Sequence, residues 1–401
     1  MFARTAPLRT ELEQTLPERP FSVELWDGSR LPATNGGGPT FLVRSPAAVA
    51  HALRAPGQLG LGRAYVSGEI DVDDLDSVLE LLGSWQPPPI DRSAQARLLL
   101  AAARASGLQR PPRVPETELK PRGRRHSSER DARAVRHHYD LPAEFFALFL
   151  DESMTYSCGL FSRGAATLEE AQEAKLELVC QKLALESGQR ILDVGCGWGS
   201  FPIHAASHHD VSVLGITLSQ PQAERGQRRV EELGLADRVE IRVADYRTLD
   251  ERPFDAIASI GMVEHVGSRN IDLYAAQLAR QVRPGGKILN HGIARLRHGE
   301  PEAGPFSERY VFPDAAPLHL SRIITAVERA GLETRHVEGL RQDYATTLTH
   351  WIERLDANID EAVRLAGSER ARVWRLYLRA ARNGFRTGFT SVYQVLAERP
   401  D

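Results

Sequence analysis

Arg190-Ile191-Leu192-Asp193-Val194-Gly195-Cys196-Gly197-Trp198-Gly199-Ser200 is the stretch on which the architecture turns. Ile191 to Val194 is an apolar, partly β-branched run that reads as a buried strand, and it breaks straight into three glycines at alternate positions. Glycine there permits a tight turn and, having no Cβ, lets a flat ligand lie against the backbone. After Ser200 the pattern becomes helical, so the free N–H groups of a helix start face the turn. The spacing Gly-x-Gly-x-Gly, with Asp193 two residues before the first glycine, differs from the dinucleotide pattern Gly-x-Gly-x-x-Gly. It suits a single nucleoside joined to an amino acid; a tight turn with no ligand is the alternative.

Outward from that turn, strands and helices alternate from about residue 137, which predicts a mainly parallel sheet covered on both faces. LEEAQEAKLELVCQKLAL reads as the helix before the first strand and FPIHAASHH as the helix after the turn. VSVLGITLS, RVEIRVADY, FDAIASIGM and GGKILNHGI read as the next four strands, and SVYQVL as a closing one. Ligands of such sheets bind beyond the carboxyl ends of the strands, where the strand order reverses. The unusual residues fall at those ends.

The 401 residues suit two or three domains, and 42% hydrophobic with 26% charged residues is a globular balance. A net charge of −3 gives no whole-chain attraction to nucleic acid. Cys158, Cys180 and Cys196 show neither metal-type spacing nor a disulfide framework, so a reducing, cytoplasmic setting is expected. No long apolar run and no signal-peptide core is visible, so any meeting with a membrane is expected at its surface. Residues 1–90 read as a small accessory α/β domain, for packing or for lipid or partner binding, with Asp73 or Asp74 capping a helix. Residues 91–135 read as a helix followed by a basic linker, with Arg122, Arg124, Arg125, Arg130, Arg133 and Arg136 near its end. Those cations suit anionic headgroups, or simply solvent. Residues 136–401 form the expected catalytic domain.

Four strand ends supply site candidates. Thr217 and Gln222 follow the second strand and suit ribose or an amino-acid tail, or merely cap the next helix. Asp245 beside Tyr246 suits an adenine, the carboxylate accepting from its amine, unless it is only a turn carboxylate. Glu264 and His265 sit between glycines after the fourth strand, and a buried carboxylate there should bind something or tune a proton. His291 adds an imidazole from the fifth strand. A metal held by His265, His291 and Glu264 is disfavoured, because no family of spacings supports it. Residues 137–161 look like an aromatic lid over the turn, with Cys158 as a small polar wall rather than a nucleophile. Tyr344 opens an aromatic-rich helix, where its ring could face a cation or fill the core.

HYDLPAEFFALFLDESMTYSCGLF, ILDVGCGWGS, GITLSQPQ, ADYR, GMVEHVG and QDYATTLTHW together resemble the cyclopropane-fatty-acyl-phospholipid synthase and mycolic acid cyclopropane synthase family over roughly residues 125–396. The resemblance implies a class I methyltransferase, Rossmann-like with a seven-stranded sheet, plus the smaller N-terminal α/β domain of the phospholipid-acting members. It implies S-adenosylmethionine as cofactor, held by Tyr156, Ser157, Asp193, Gly195, Gly197, Gly199, Thr217, Leu218, Gln222, Asp245 and Tyr246. Cys158, Glu264, His291, Ile293 and Tyr344 match the family positions that hold a bicarbonate ion beside the sulfonium. The implied substrate is a cis-unsaturated phospholipid acyl chain, reached from the inner membrane face, with a second copy of the chain as a candidate partner. The product would be a cyclopropane fatty acid. Many relatives read His-Thr-Ile-Gly after the fifth strand, whereas this chain reads Asn290-His291-Gly292-Ile293-Ala294, which is similar to actinobacterial enzymes making 10-methylene or 10-methyl fatty acids. A small-molecule methyltransferase and a non-catalytic lipid binder are the readings from other classes.

Overall fold

The computed structural model describes residues 5–401 apart from 56, 87, 108–111, 120–129, 131–140, 298–303, 313–314 and 316. Two compact units divide the chain: Met1–Lys120 with Gly304–Tyr310 and Ile359–Asn383, and Pro121–Ala303 with Val311–Asn358 and Gly384–Asp401.

The larger unit is built on a seven-stranded sheet. Its strand order is Glu333–Gly339, Thr390–Glu398, Val282–Arg295, Phe254–Ile260, Arg190–Val194, Ser212–Thr217, Val239–Val243. Four pairings are parallel, and Thr390–Glu398 runs antiparallel to both of its neighbours. Arg190–Val194 is therefore an interior strand, and successive strands are added first on one side of it and then on the other, which opens the ligand crevice at its carboxyl end. Ile191, Leu192 and Val194 are buried among side chains on both faces, as a central parallel strand requires. The helix Leu168–Leu183 begins with a capping box: Thr167 accepts from the Glu170 backbone, and the Glu170 carboxylate answers the Thr167 N–H. Glu333–Gly339 was not legible as a strand, because it lies at the sheet edge with mostly exposed residues and no apolar alternation.

The smaller unit carries a four-stranded sheet, ordered Arg30–Leu31, Ser22–Glu24, Thr40–Val43, Ile70–Val72. Asp74 is the cap of helix Leu75–Ser84, accepting from Asp76 and Ser77 N–H at 2.9 and 3.2 Å. The helix Arg92–Ser106, read from sequence as part of a linker, buries Ala101, Ala102 and Ala105 against Leu8 here instead. Ile359–Asn383, read as catalytic-domain sequence, also belongs to this unit. The cations at Arg122, Arg124, Arg125, Arg133 and Arg136 lie outside the described residues, as do residues 137–140. No helix among the described residues is long and apolar enough to cross a membrane.

Candidate active site

The glycine turn has the conformation its spacing implied. Gly195 and Gly199 take φ of 86° and 85°, a region where a side chain is strained. A Cβ on Gly199 would also stand 2.6 Å from Ile241 Cδ1. The N–H groups of Gly195 and Cys196 both donate to Ile216 O, at 2.9 and 3.0 Å, which ties the turn to the end of the second strand. A single cavity opens over it, lined by Tyr156, Ser157, Asp193, Gly195, Gly197, Thr217, Leu218, Gln222 and Tyr246 among others. Nine of the eleven cofactor candidates therefore meet at one hollow. Gly199 is held behind the turn as the first cap of helix Ser200–His209. Asp245 also lies outside the lining. Its carboxylate accepts from Arg247 Nη2 at 2.7 Å and Nε at 2.9 Å.

The floor of the cavity is charged, and there the sequence reading was incomplete. Lys175 lies on the buried ridge Ala171, Lys175, Val179 of helix Leu168–Leu183 and lines the hollow. Its Nζ donates to Ser157 Oγ at 2.9 Å, while Gln172 Nε2 donates to Ser157 O at 2.8 Å. Two side chains one turn apart thus hold the Tyr156–Ser157 segment. Burial pulls Lys175 down to about 8, against the pull of Asp151 and other acidic groups. Burial pushes Asp193 up to about 7, opposed by the Lys175 charge. Asp193 Oδ1 has no hydrogen-bond partner among the described residues. A lysine on the apolar stripe of a helix was the signal that could have exposed this floor.

The aromatic segment is a packed cover. Phe145, Phe146 and Phe149 are fully buried, and Phe146 sits 5.0 Å from the Trp198 ring of the glycine turn. Tyr156 stacks on Trp351 at 5.2 Å, and Tyr344 meets the same indole edge-on at 6.1 Å.

The five catalytic candidates do not line that cavity, yet a short run of bonds and contacts links Cys158, Tyr344, Ile293 and Glu264, and His291 lies two residues before Ile293 on the same strand. Cys158 Sγ–H donates to Leu340 O at 3.7 Å, and the Tyr344 N–H donates to the same carbonyl at 3.1 Å. The Leu340 N–H donates in turn to Val392 O, and Val392 pairs with Ile293 across the sheet. Glu264, from the short helix Val263–Val266, lies against Gly292, where a Cβ would come within 3.1 Å of its Oε2. The Ile293 backbone N–H also faces the Glu264 carboxylate and lowers its proton affinity, but burial dominates and pushes Glu264 up to about 7. Burial takes His291 down to about 3, so its imidazole is neutral. Glu264 Oε2 and His291 Nε2 are both buried without a partner among the described residues. Buried Cys158 is raised well above the ordinary thiol range, chiefly by desolvation, and stays a thiol.

A family model described as mycolic acid cyclopropane synthetase matches residues 126–395. A probable fatty acid methyltransferase of Mycobacterium tuberculosis is 40% identical over 370 residues, covering 90% of this chain and 86% of that protein. The cyclopropane-fatty-acyl-phospholipid synthase of Escherichia coli K12 is 34% identical, covering 92% and 90%. Among solved structures, mycolic acid cyclopropane synthase CmaA1 complexed with SAH and CTAB superposes with a TM-score of 0.64 at 33% identity, covering 67% of this chain and 98% of that one. The glycine turn, the sheet order and these matches agree, and the chain belongs to the mycolic acid cyclopropane synthetase family of S-adenosylmethionine-dependent methyltransferases.

Proposed function

We propose that this enzyme methylates the cis double bond of an unsaturated phospholipid acyl chain and closes the added carbon into a cyclopropane. This reading is supported by two buried, uncommitted polar atoms, Glu264 Oε2, which lies against Gly292, and His291 Nε2, on the residue before that glycine. A neutral imidazole N–H donates and a carboxylate accepts, so together they fit an ion with both a charged oxygen and a hydroxyl. Bicarbonate is such an ion, and when bound it supplies a base where few side chains could remain charged. S-adenosylmethionine, when bound, supplies a methyl group on a sulfonium. Asp193 Oδ1, uncommitted on the cavity floor, fits its ammonium or hydroxyl donors, and Tyr246 gives an aromatic wall for the adenine.

The remaining work falls to the chain's own side chains. An alkene is a weak nucleophile, so the cover formed by Phe146, Tyr156 and Trp351 must hold the acyl chain in line and keep water out. Methyl transfer leaves a cation on the acyl chain, and the Tyr344 face, supported by Phe385 at 4.5 Å, stabilises such a charge by about 0.5–2 kcal/mol. Loss of a proton from the added methyl closes the ring. Loss from a neighbouring chain carbon gives the 10-methylene product, precursor of a 10-methyl acid. The Asn290–Ala294 sequence favours that second reading.

Incubating the enzyme with oleoyl phospholipid vesicles and a methyl-labelled donor, then fragmenting derivatised lipids, separates the outcomes. Label in a cyclopropane supports the first reading, and label in an exocyclic methylene the second. Label only in a polar small molecule would overturn both. Turnover should fall when bicarbonate is stripped from the buffer; an unchanged rate would remove that ion from the site.

A further inference from the structure

Away from the cavity, four metal-ligating side chains converge between two helices of the larger unit. Glu177 and Cys180 are three residues apart on Leu168–Leu183 and so share a face of that helix. His204 and His209 come from Ser200–His209, which packs against it. One donor atom from each of the four lies within 4.8 Å of the other three. Glu177 Oε2 is 2.9 Å from His209 Nε2 and 3.4 Å from His204 Nε2. A tetrahedral ion with bonds of about 2.0–2.3 Å needs donor separations of about 3.3–3.6 Å. The side chains need shift only by tenths of an ångström to an ångström or so.

We propose that Glu177, Cys180, His204 and His209 form a four-coordinate site for a borderline-soft divalent cation, zinc being the best match. Two imidazoles, one thiolate and one carboxylate make a donor set of the type zinc accepts, whereas magnesium and calcium prefer oxygen alone. With all four positions filled by protein, the site is structural and leaves no place for a reactive water. Cys180 is a buried thiol whose desolvation raises it far above the ordinary range, so it ligates only by giving up its proton as the ion enters. The balance is one S–H bond broken, one metal–sulfur bond formed and one proton released to solvent.

Its place in the fold says what such an ion does. One of the clamped helices carries Lys175, which lines the cavity, and Gln172, which holds Ser157, and the other starts directly after the glycine turn. A bound ion ties the two together independently of any cofactor.

The test uses the untagged full-length chain, stripped with chelator and titrated with Co²⁺ alone and then Zn²⁺. Expected are tetrahedral ligand-field bands, a thiolate-to-cobalt charge-transfer band, saturation at one ion per chain and displacement by zinc with a rise in Tm. Cys180→Ser should lose the charge-transfer band, and His209→Asn should weaken binding by about tenfold or more. Because the wild-type spectrum needs no variant, misfolding of a variant leaves the test intact. Octahedral cobalt bands, absence of the sulfur band in the wild type, or no ion held at micromolar concentration would each overturn the proposal. The four side chains would then be a helix–helix contact in which Glu177 accepts from two imidazoles.

Discussion

Gln394 Nε2 donates to His291 Nδ1 at 3.2 Å, while Lys182 Nζ donates to the oxygen of the same carboxamide at 2.6 Å. An ammonium only donates, so it fixes which end of the amide faces the imidazole, and the imidazole proton is left on Nε2. Gln394→Glu presents an acceptor instead and drives the proton to Nδ1. Turnover should drop about 10–100-fold, the scale seen when a supporting bond to a functional imidazole is lost. KM for S-adenosylmethionine should be unchanged, since His291 does not line the cavity; a rise in KM with kcat intact would refute the tautomer argument.

Glu264, held up to about 7 by burial, should shape the acid limb of the rate profile. As an acceptor it must be ionised, so kcat should fall about tenfold per pH unit below about pH 7. Glu264→Gln should lower kcat severely and flatten that limb while cofactor affinity, measured by equilibrium binding, survives. Asp193 also titrates near 7, but it lines the cavity, so its effect belongs in cofactor affinity rather than in kcat.

The same carboxylate carries a stability cost with a definite sign. In the folded chain Glu264 keeps its proton to about 7, against 4.5 in the unfolded chain, so the folded state binds more protons between those values. Its contribution is fully present below about pH 4.5 and is lost as pH rises through 7. His291 works the other way, losing stability as pH falls from 6.5 towards 3. Glu264→Gln should therefore raise the Tm of the cofactor-free enzyme at pH 8 and leave it nearly unchanged at pH 4.5. One substitution would then give a firmer and less active protein.

Gly292 marks the departure from the commoner family pattern, and its lack of a side chain has a spatial reason. A Cβ there would stand 2.2 Å from Val263 Cγ1 and 3.1 Å from Glu264 Oε2. Gly292→Ala should cost about 1–3 kcal/mol by overpacking, read as a lowered denaturation midpoint. It should also reduce turnover by pushing the carboxylate aside, and changed product proportions in the lipid assay would show that base placement selects between ring and methylene.

The parallel core was legible because its signals are local. Ile191 to Val194, the alternate glycines and the capping pair Thr167 and Glu170 each announce themselves within a few residues. Lys175 escaped notice because one cation inside an amphipathic helix looks like solvated charge until its ridge proves buried. Glu333–Gly339 escaped because an edge strand with exposed side chains carries no periodic apolar signal. The pairing of Asp245 with Arg247, two residues on, is not legible either, because spacing along a turn does not show which side chains meet. The division of Ile359–Asn383 from its sequence neighbours depends on contacts with segments hundreds of residues away, as when Glu369 accepts from Thr117.

The placement of Thr390–Glu398 between two strands made much earlier has a bearing on biogenesis. During translation the segment carrying His291 leaves the ribosome well before Gln394 does, and until then its flank is an open edge ready to pair with any passing strand. Assembly of the rim is thus a late event, and a polypeptide halted before residue 390 would carry every cofactor-facing group yet leave the imidazole without its amide and the half-made sheet prone to aggregate.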